Sequence, residues 1–142
     1  MTGWLLDTNV VSEIMWDGGS SRVKQWLDAQ PEHLVHLSIL TVAEYEKGIA
    51  NLPDDDVRRA HYVAQRDLVE TRFRRRILPI SNSVVRRWGV VSGEVRRVTG
   101  HPPPVIDTLL AATAIEHDLT LVTRNLRDVQ QSGAQLLNPW TG

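Results

Sequence analysis

Short apolar runs alternate with stretches of helical periodicity along this chain, and that alternation restricts the fold more than any other feature. Trp4–Leu6, Leu34–Ser38, Ile77–Ile80 and Leu119–Thr123 are each too brief for a helix and are bounded by turn or cap residues, and Gln135–Leu137 offers a fifth run. Between them, apolar side chains recur at helical spacing. Val10, Val11 and Ile14 predict a helix capped near Thr8 or Asn9 and broken by the glycines at 18 and 19. Val23, Trp26 and Leu27 predict a second helix that ends before Pro31. A third helix is expected from about Thr41 to Asn51. A long one follows the acidic triplet at 54–56 and runs towards Arg76, with Val57, Tyr62, Leu68, Val69 and Phe73 facing inward. Val84 through Val95 mark another that stops at Gly100, and Pro104 opens a last helix ending at Asp118. Strands separated by helices indicate an α/β chain with a four- to five-stranded, largely parallel sheet.

An open parallel sheet binds ligands in the crevice outside the carboxyl ends of its strands. Three acids are expected there, each read as lying where a strand gives way to a helix: Asp7, Glu44 and Asp107. Two carboxylates about 4 Å apart repel by roughly 4 kcal/mol at an effective dielectric of ~20. Such a group requires a proton, a basic side chain or a cation. Lysine is scarce, with only Lys24 and Lys47 present, so a divalent cation is the simpler counter-charge.

Each acid also has an ordinary explanation. Asp7 has the position of a strand-end turn residue. Thr41-x-x-Glu44 has the form of a capping box. Asp107 falls where the helix dipole favours any acid. Gly48, one turn beyond Glu44, leaves a bare patch that suits either a ligand or close helix packing. Thr8, Asn9, Thr123, Asn125 and Asp128 are polar neighbours expected at the same edge.

Composition removes other classes. Cysteine is absent, which excludes disulfides and thiolate chemistry and agrees with a reducing cytoplasm. The formal charge of -1 provides no global basic field for nucleic acid. No apolar run approaches a membrane span, and the first residues lack a signal peptide's basic start, so the chain is expected to begin directly with its first strand. His33 and His36 alternate across a strand, so the histidines do not make a zinc motif. Arginines at 74–76 are dense enough to hold phosphates, whereas those at 86–87 and 96–97 read as solvated helix faces. Trp16, just before the glycine break, is a candidate anchor for a partner.

Read together, Leu5-Leu6-Asp7-Thr8-Asn9-Val10-Val11-Ser12-Glu13, Leu37-Ser38 through Ala43-Glu44 with Gly48, Asp107 to Ala114, Leu121-Val122-Thr123-Arg124-Asn125 and Asn138-Pro139-Trp140 resemble a PIN domain of the VapC toxin type. The resemblance spans residues 1–142 as one domain and implies a three-layer α/β/α fold. It implies a cytoplasmic endoribonuclease that uses Mg²⁺, with Mn²⁺ as an alternative, and Asp7, Glu44 and Asp107 as catalytic, metal-binding acids. It also implies a homodimer, a VapB-like antitoxin that neutralises the enzyme, and operator DNA contacted through the antitoxin alone. Many relatives carry an aspartate at the position of Asn125, which puts a permanent two-metal site in question and brings Asp128 into consideration.

Three rivals are weaker. A haloacid-dehalogenase-type phosphatase wants an acid where Asn9 stands, and a response-regulator receiver wants a late lysine. A PIN-like interaction module without meaningful catalysis draws its only support from Asn125.

Overall fold

A computed structural model describes residues 3–142. Five strands form one sheet in the order β3-β2-β1-β4-β5, with every neighbouring pair parallel. They are β1 (Trp4–Leu6), β2 (Val35–Ser38), β3 (Ile77–Leu78), β4 (Thr120–Val122) and β5 (Leu136–Leu137). Six α-helices accompany them: α1 (Thr8–Met15), α2 (Ser21–Asp28), α3 (Ile39–Ala50), α4 (Val57–Arg72), α5 (Asn82–Thr99) and α6 (Val105–Glu116). Met1 and Thr2, in the stretch expected to lead into the first strand, lie outside the described residues.

Strand alternation divides the core between the two faces of the sheet. Leu6, Leu37 and Val122 pack with Val10, Val23 and Val69 from α1, α2 and α4 and with Phe73 just beyond α4. Leu5 and Leu121 turn the other way, onto Leu110, Ala111 and Ala114 of α6. The small side chains of α6 let it lie close to the sheet, and α5 packs along its outer side. There the Trp88 indole nitrogen donates to Thr108 Oγ at 3.0 Å. The result is the expected helix–sheet–helix layering.

The chain departs from expectation in α4. It stops at Arg72 instead of running on towards Arg76. Phe73 is buried beneath the turn that follows, and Arg75 takes the left-handed backbone (φ 69°), which no helix continues. Arg76 is not available to phosphates: its guanidinium donates to the carbonyls of Glu32, Val35 and Arg72 and to Glu32 Oε1. Arg76 thus ties down the amino edge of the sheet, away from the crevice. The inner face of α4 is also narrower than its apolar pattern. Val69 and Phe73, one turn apart, are buried, while Val57 (88% exposed) and Leu68 (59%) face solvent.

Helix α3 begins at Ile39, directly after β2, two residues earlier than its pattern suggests. Ser38 is its cap, accepting from the Leu40 amide at 3.0 Å. Thr41 is already inside the helix, fully buried, with its hydroxyl on Thr8 Oγ at 3.0 Å. No capping box forms, so Glu44 has no role at the helix start. Ser38→Ala should cost about 1 kcal/mol of stability, whereas Glu44→Gln should not lower the urea midpoint, since its carboxylate is raised by burial and by Asp7. Equal losses in the two variants would restore the capping reading.

Candidate active site

Helices that follow or precede a parallel strand run antiparallel to it, so their amino ends gather at the carboxyl edge of the sheet. That rule places Asp7 as the cap of α1, Glu44 inside α3 and Asp107 in the first turn of α6. Only Asp7 sits at a strict strand-to-helix junction. Glu44 lies more than a turn into its helix. Asp107 follows a proline loop after α5, and it reaches the edge because α6 runs into β4 from that side.

Asp7 is the best-held of the three. Its backbone N–H donates to Val122 O at 2.9 Å, and its carbonyl accepts from the Val10 amide at 3.0 Å. Oδ1 accepts from the Thr8 amide at 2.6 Å, and Oδ2 accepts from Thr123 Oγ at 2.8 Å and Asn9 Nδ2 at 3.4 Å. Only 8% of the residue is exposed. Burial raises its pKa above the ordinary carboxylate value, and the bonds from Thr123, Thr8 and Asn9 oppose that rise.

The polar residues expected around Asp7 form one connected set. Thr123 Oγ accepts from Asn9 Nδ2 at 3.3 Å and from the Asn125 amide at 3.0 Å, which leaves its proton for Asp7. Thr8 fastens α1 to α3 through Thr41. Asn125 Nδ2 donates to Asp128 Oδ2 at 2.5 Å. The amide therefore restrains a carboxylate one turn along the chain.

Electrostatics join the acids. Asp107 is pushed up to about 6, first by burial and then by repulsion from Asp7, Asp128 and Glu44. Glu44 is raised by burial and then by Asp7, with Lys47 pulling the other way. None of Asp7, Glu44, Asp107 or Asp128 has an ion-pair partner among the described residues. Nor is any group of three or more His, Asp or Glu side chains among the described residues drawn to ligating distance of one point. Magnesium needs only one or two carboxylates and fills its shell with water and phosphate, so the hard-oxygen set fits it without a closed cage.

A groove of about 540 Å³ leads away from Glu44 between α1, α3 and α4, with Thr8, Trp16, Gly48, His61 and Tyr62 among its lining residues. A side chain at Gly48 would meet nothing within 4 Å, so the glycine leaves open space instead of allowing close packing. Trp16 is 60% exposed on the groove wall. The sequence shows the glycine and the tryptophan; the contributions of Ser12, His61 and Tyr62 depend on helix packing. Arg124, between Thr123 and Asn125, was also missed, since a lone arginine carries no signal beside the denser runs.

Comparison with known proteins bears on the fold and the edge together. A family model described as PIN domain matches residues 4–131. VapC ribonuclease Y4jK of Sinorhizobium fredii is 31% identical over 137 residues, covering 96% of this chain and 96% of that protein. Toxin FitB of Neisseria gonorrhoeae is 32% identical over 136 residues, covering 96% and 97%. A solved structure of FitAB bound to a DNA fragment superposes with a TM-score of 0.84 at 31% identity, covering 96% of this chain and 95% of that one.

Proposed function

This chain belongs to the PIN domain family, and on that premise we propose that it is a divalent-metal-dependent endoribonuclease, the toxin of a toxin–antitoxin pair. The observation that carries the reading is the gathering of Asp7, Glu44, Asp107 and Asp128 close enough to repel one another, with no ion-pair partner for any of them among the described residues. Its relatives named as a ribonuclease and a toxin match nearly the whole chain, which supports one PIN domain over residues 1–142.

Asp7 and Asp107 would hold the cation, Mg²⁺ or Mn²⁺, with Glu44 contributing through water on the groove side. When bound, such a cation supplies charge neutralisation at the phosphate and a more acidic attacking water. The chain's own residues set the geometry. Thr123 and the Thr8 amide fix both oxygens of Asp7, so no rotamer search precedes each turnover. Asn9 keeps Thr123 in its donating orientation. Asp128, restrained by Asn125, adds negative potential beside Asp107 and favours the cation further. Glu44, the most open of the acids, is placed to orient the water and accept its proton. Water would then add to phosphorus as the bond to the leaving ribose oxygen breaks, and that oxygen would take a proton from solvent.

The homologous FitAB complex is a two-component assembly on DNA. By that likeness this chain pairs with a VapB-like antitoxin, which would supply the operator contacts, and the family resemblance adds a homodimer. Among the described residues no helix is long and apolar enough to cross a membrane, in keeping with action in the cytoplasm.

The test is cleavage of total bacterial RNA by purified, antitoxin-free protein with Mg²⁺, with Mn²⁺ and with EDTA. Discrete fragments that vanish in EDTA are expected. Intact RNA in the presence of folded, metal-supplied protein would return the reading to a non-catalytic interaction module.

A further inference from the structure

Five arginines of this chain, Arg58, Arg59, Arg66, Arg76 and Arg87, are held by carboxylates, and among the others Arg124 is the one whose backbone is bonded to Asn9 beside Asp7. Arg124 has no carboxylate partner among the described residues, although it lies beside the most acidic part of the molecule. Its backbone is pinned there: its N–H donates to Asn9 Oδ1 at 3.4 Å, next to Asp7. Its exposed side chain lies over the Trp140 ring at 5.0 Å from the centroid. Trp140 itself follows β5 and is anchored by its amide on Asn138 Oδ1 at 2.9 Å and by packing against the core.

Stacking on an aromatic face orders a guanidinium without using its edge donors. The planar fork is left to pair with a phosphate bidentately, and part of the ordering entropy is already spent. A polyanion approaching four acids also needs fixed positive charge near them, and Arg124 is the nearest cation along the chain to the Thr123–Asp7 contact. We propose that Arg124, stacked on Trp140, is a substrate-positioning residue that grips a backbone phosphate of RNA adjacent to the one being cut. The proposal rests on the ribonuclease reading and adds to it the residue that holds the strand.

The experiment measures binding of a fluorescein-labelled single-stranded RNA of mixed sequence in EDTA across a range of salt, together with KM and kcat for cleavage in Mg²⁺. Arg124→Ala and Arg124→Gln are compared with wild type, with Arg124→Lys and with Arg74→Ala, an exposed arginine at the opposite edge of the sheet. The expected result is a Kd about tenfold weaker for Ala and Gln, from loss of one charged hydrogen-bonding pair. KM should rise in parallel while kcat stays within about twofold. The slope of log K against log salt should fall by about 0.7, the value of one phosphate contact on a single strand. Arg124→Lys should keep the slope while binding more weakly, and Arg74→Ala should match wild type. Unchanged Kd and slope in folded Arg124→Ala and Arg124→Gln, with Asp7→Asn inactive, would overturn the phosphate contact and leave the nuclease reading standing. Wild-type protein that neither binds nor cuts RNA would overturn both.

Discussion

Asp7→Asn is expected to lower kcat/KM for RNA cleavage about a thousandfold, roughly 4 kcal/mol of transition-state stabilisation. The change keeps the shape of the side chain and removes its charge. An amide cannot replace the carboxylate on either count that matters. Its oxygen is a weaker ligand for a hard cation, and it has only one acceptor where Asp7 presents two. Thr123 Oγ already accepts from Asn9 and the Asn125 amide, so it can only donate towards Asp7. The Thr8 amide is likewise a donor. Whichever way the amide turns, its NH₂ faces one of these donors, and one bond is lost. Relief of a buried charge offsets that loss, because burial is the largest cause of Asp7's raised pKa. Stability should therefore shift by no more than about 1 kcal/mol. Initial cleavage rates and a urea titration, run on the same preparation, measure the two quantities together. Retention of more than a tenth of the activity by a folded variant would remove Asp7 from the reaction.

Asp107→Asn should raise stability in the metal-free protein and lower activity as Asp7→Asn does. The folded state binds a proton at Asp107 more readily than the unfolded chain does, since the pKa is raised to about 6 from an ordinary value of 3.8. Between those values the native state holds more protons, so stability falls as pH rises through that window. Above pH 6 the whole penalty is present. Because the group is only half-buried, solvent screening reduces it, and loss of an acid from the first turn of α6 works the other way. The net gain on substitution at pH 7 is about 1 kcal/mol, or roughly 3 °C in Tm for a chain of this size. The advantage should vanish below about pH 4, where both states are protonated. Added Mg²⁺ or Mn²⁺ should raise the wild-type Tm and close the gap, since a ligand stabilises only the protein that binds it. Melting curves at pH 4 and pH 7, with and without metal, check this sign pattern. A variant less stable than wild type at pH 7 without metal would show that the acids do not strain one another.

Much of the architecture was legible because parallel strands buried on both faces appear as short continuous apolar runs. Asp7 was legible for the same reason: it closes the first of those runs. Asp107 was expected at a strand-to-helix junction, and the structure corrects that. No strand precedes it, and its location follows from the direction of α6 into β4, which is a property of topology. The start of α3 was misread because Thr41 and Glu44 satisfy a local capping pattern, whereas the buried Ser38 hydroxyl does the capping. Local patterns of this kind compete, and tertiary burial of Thr41 against Thr8 decides between them. The dense arginines at 74–76 drew attention by number, yet Arg76 is consumed by backbone carbonyls. Arg124 and Trp140 come from different segments and meet only once β4 and β5 pair. The groove beside Glu44 was hidden similarly, since α1, α3 and α4 must pack before Trp16, Gly48 and Tyr62 share a wall.

On the proposed reading, Asp7 and Asp107 converge on one divalent cation at the carboxyl edge of the sheet. Anomalous scattering from Mn²⁺ in crystals of the antitoxin-free protein measures this directly. A peak is expected at ligating distance from carboxylate oxygens of both residues, absent in Asp7→Asn. A peak bound elsewhere, or none in crystals soaked in millimolar Mn²⁺, would contradict it.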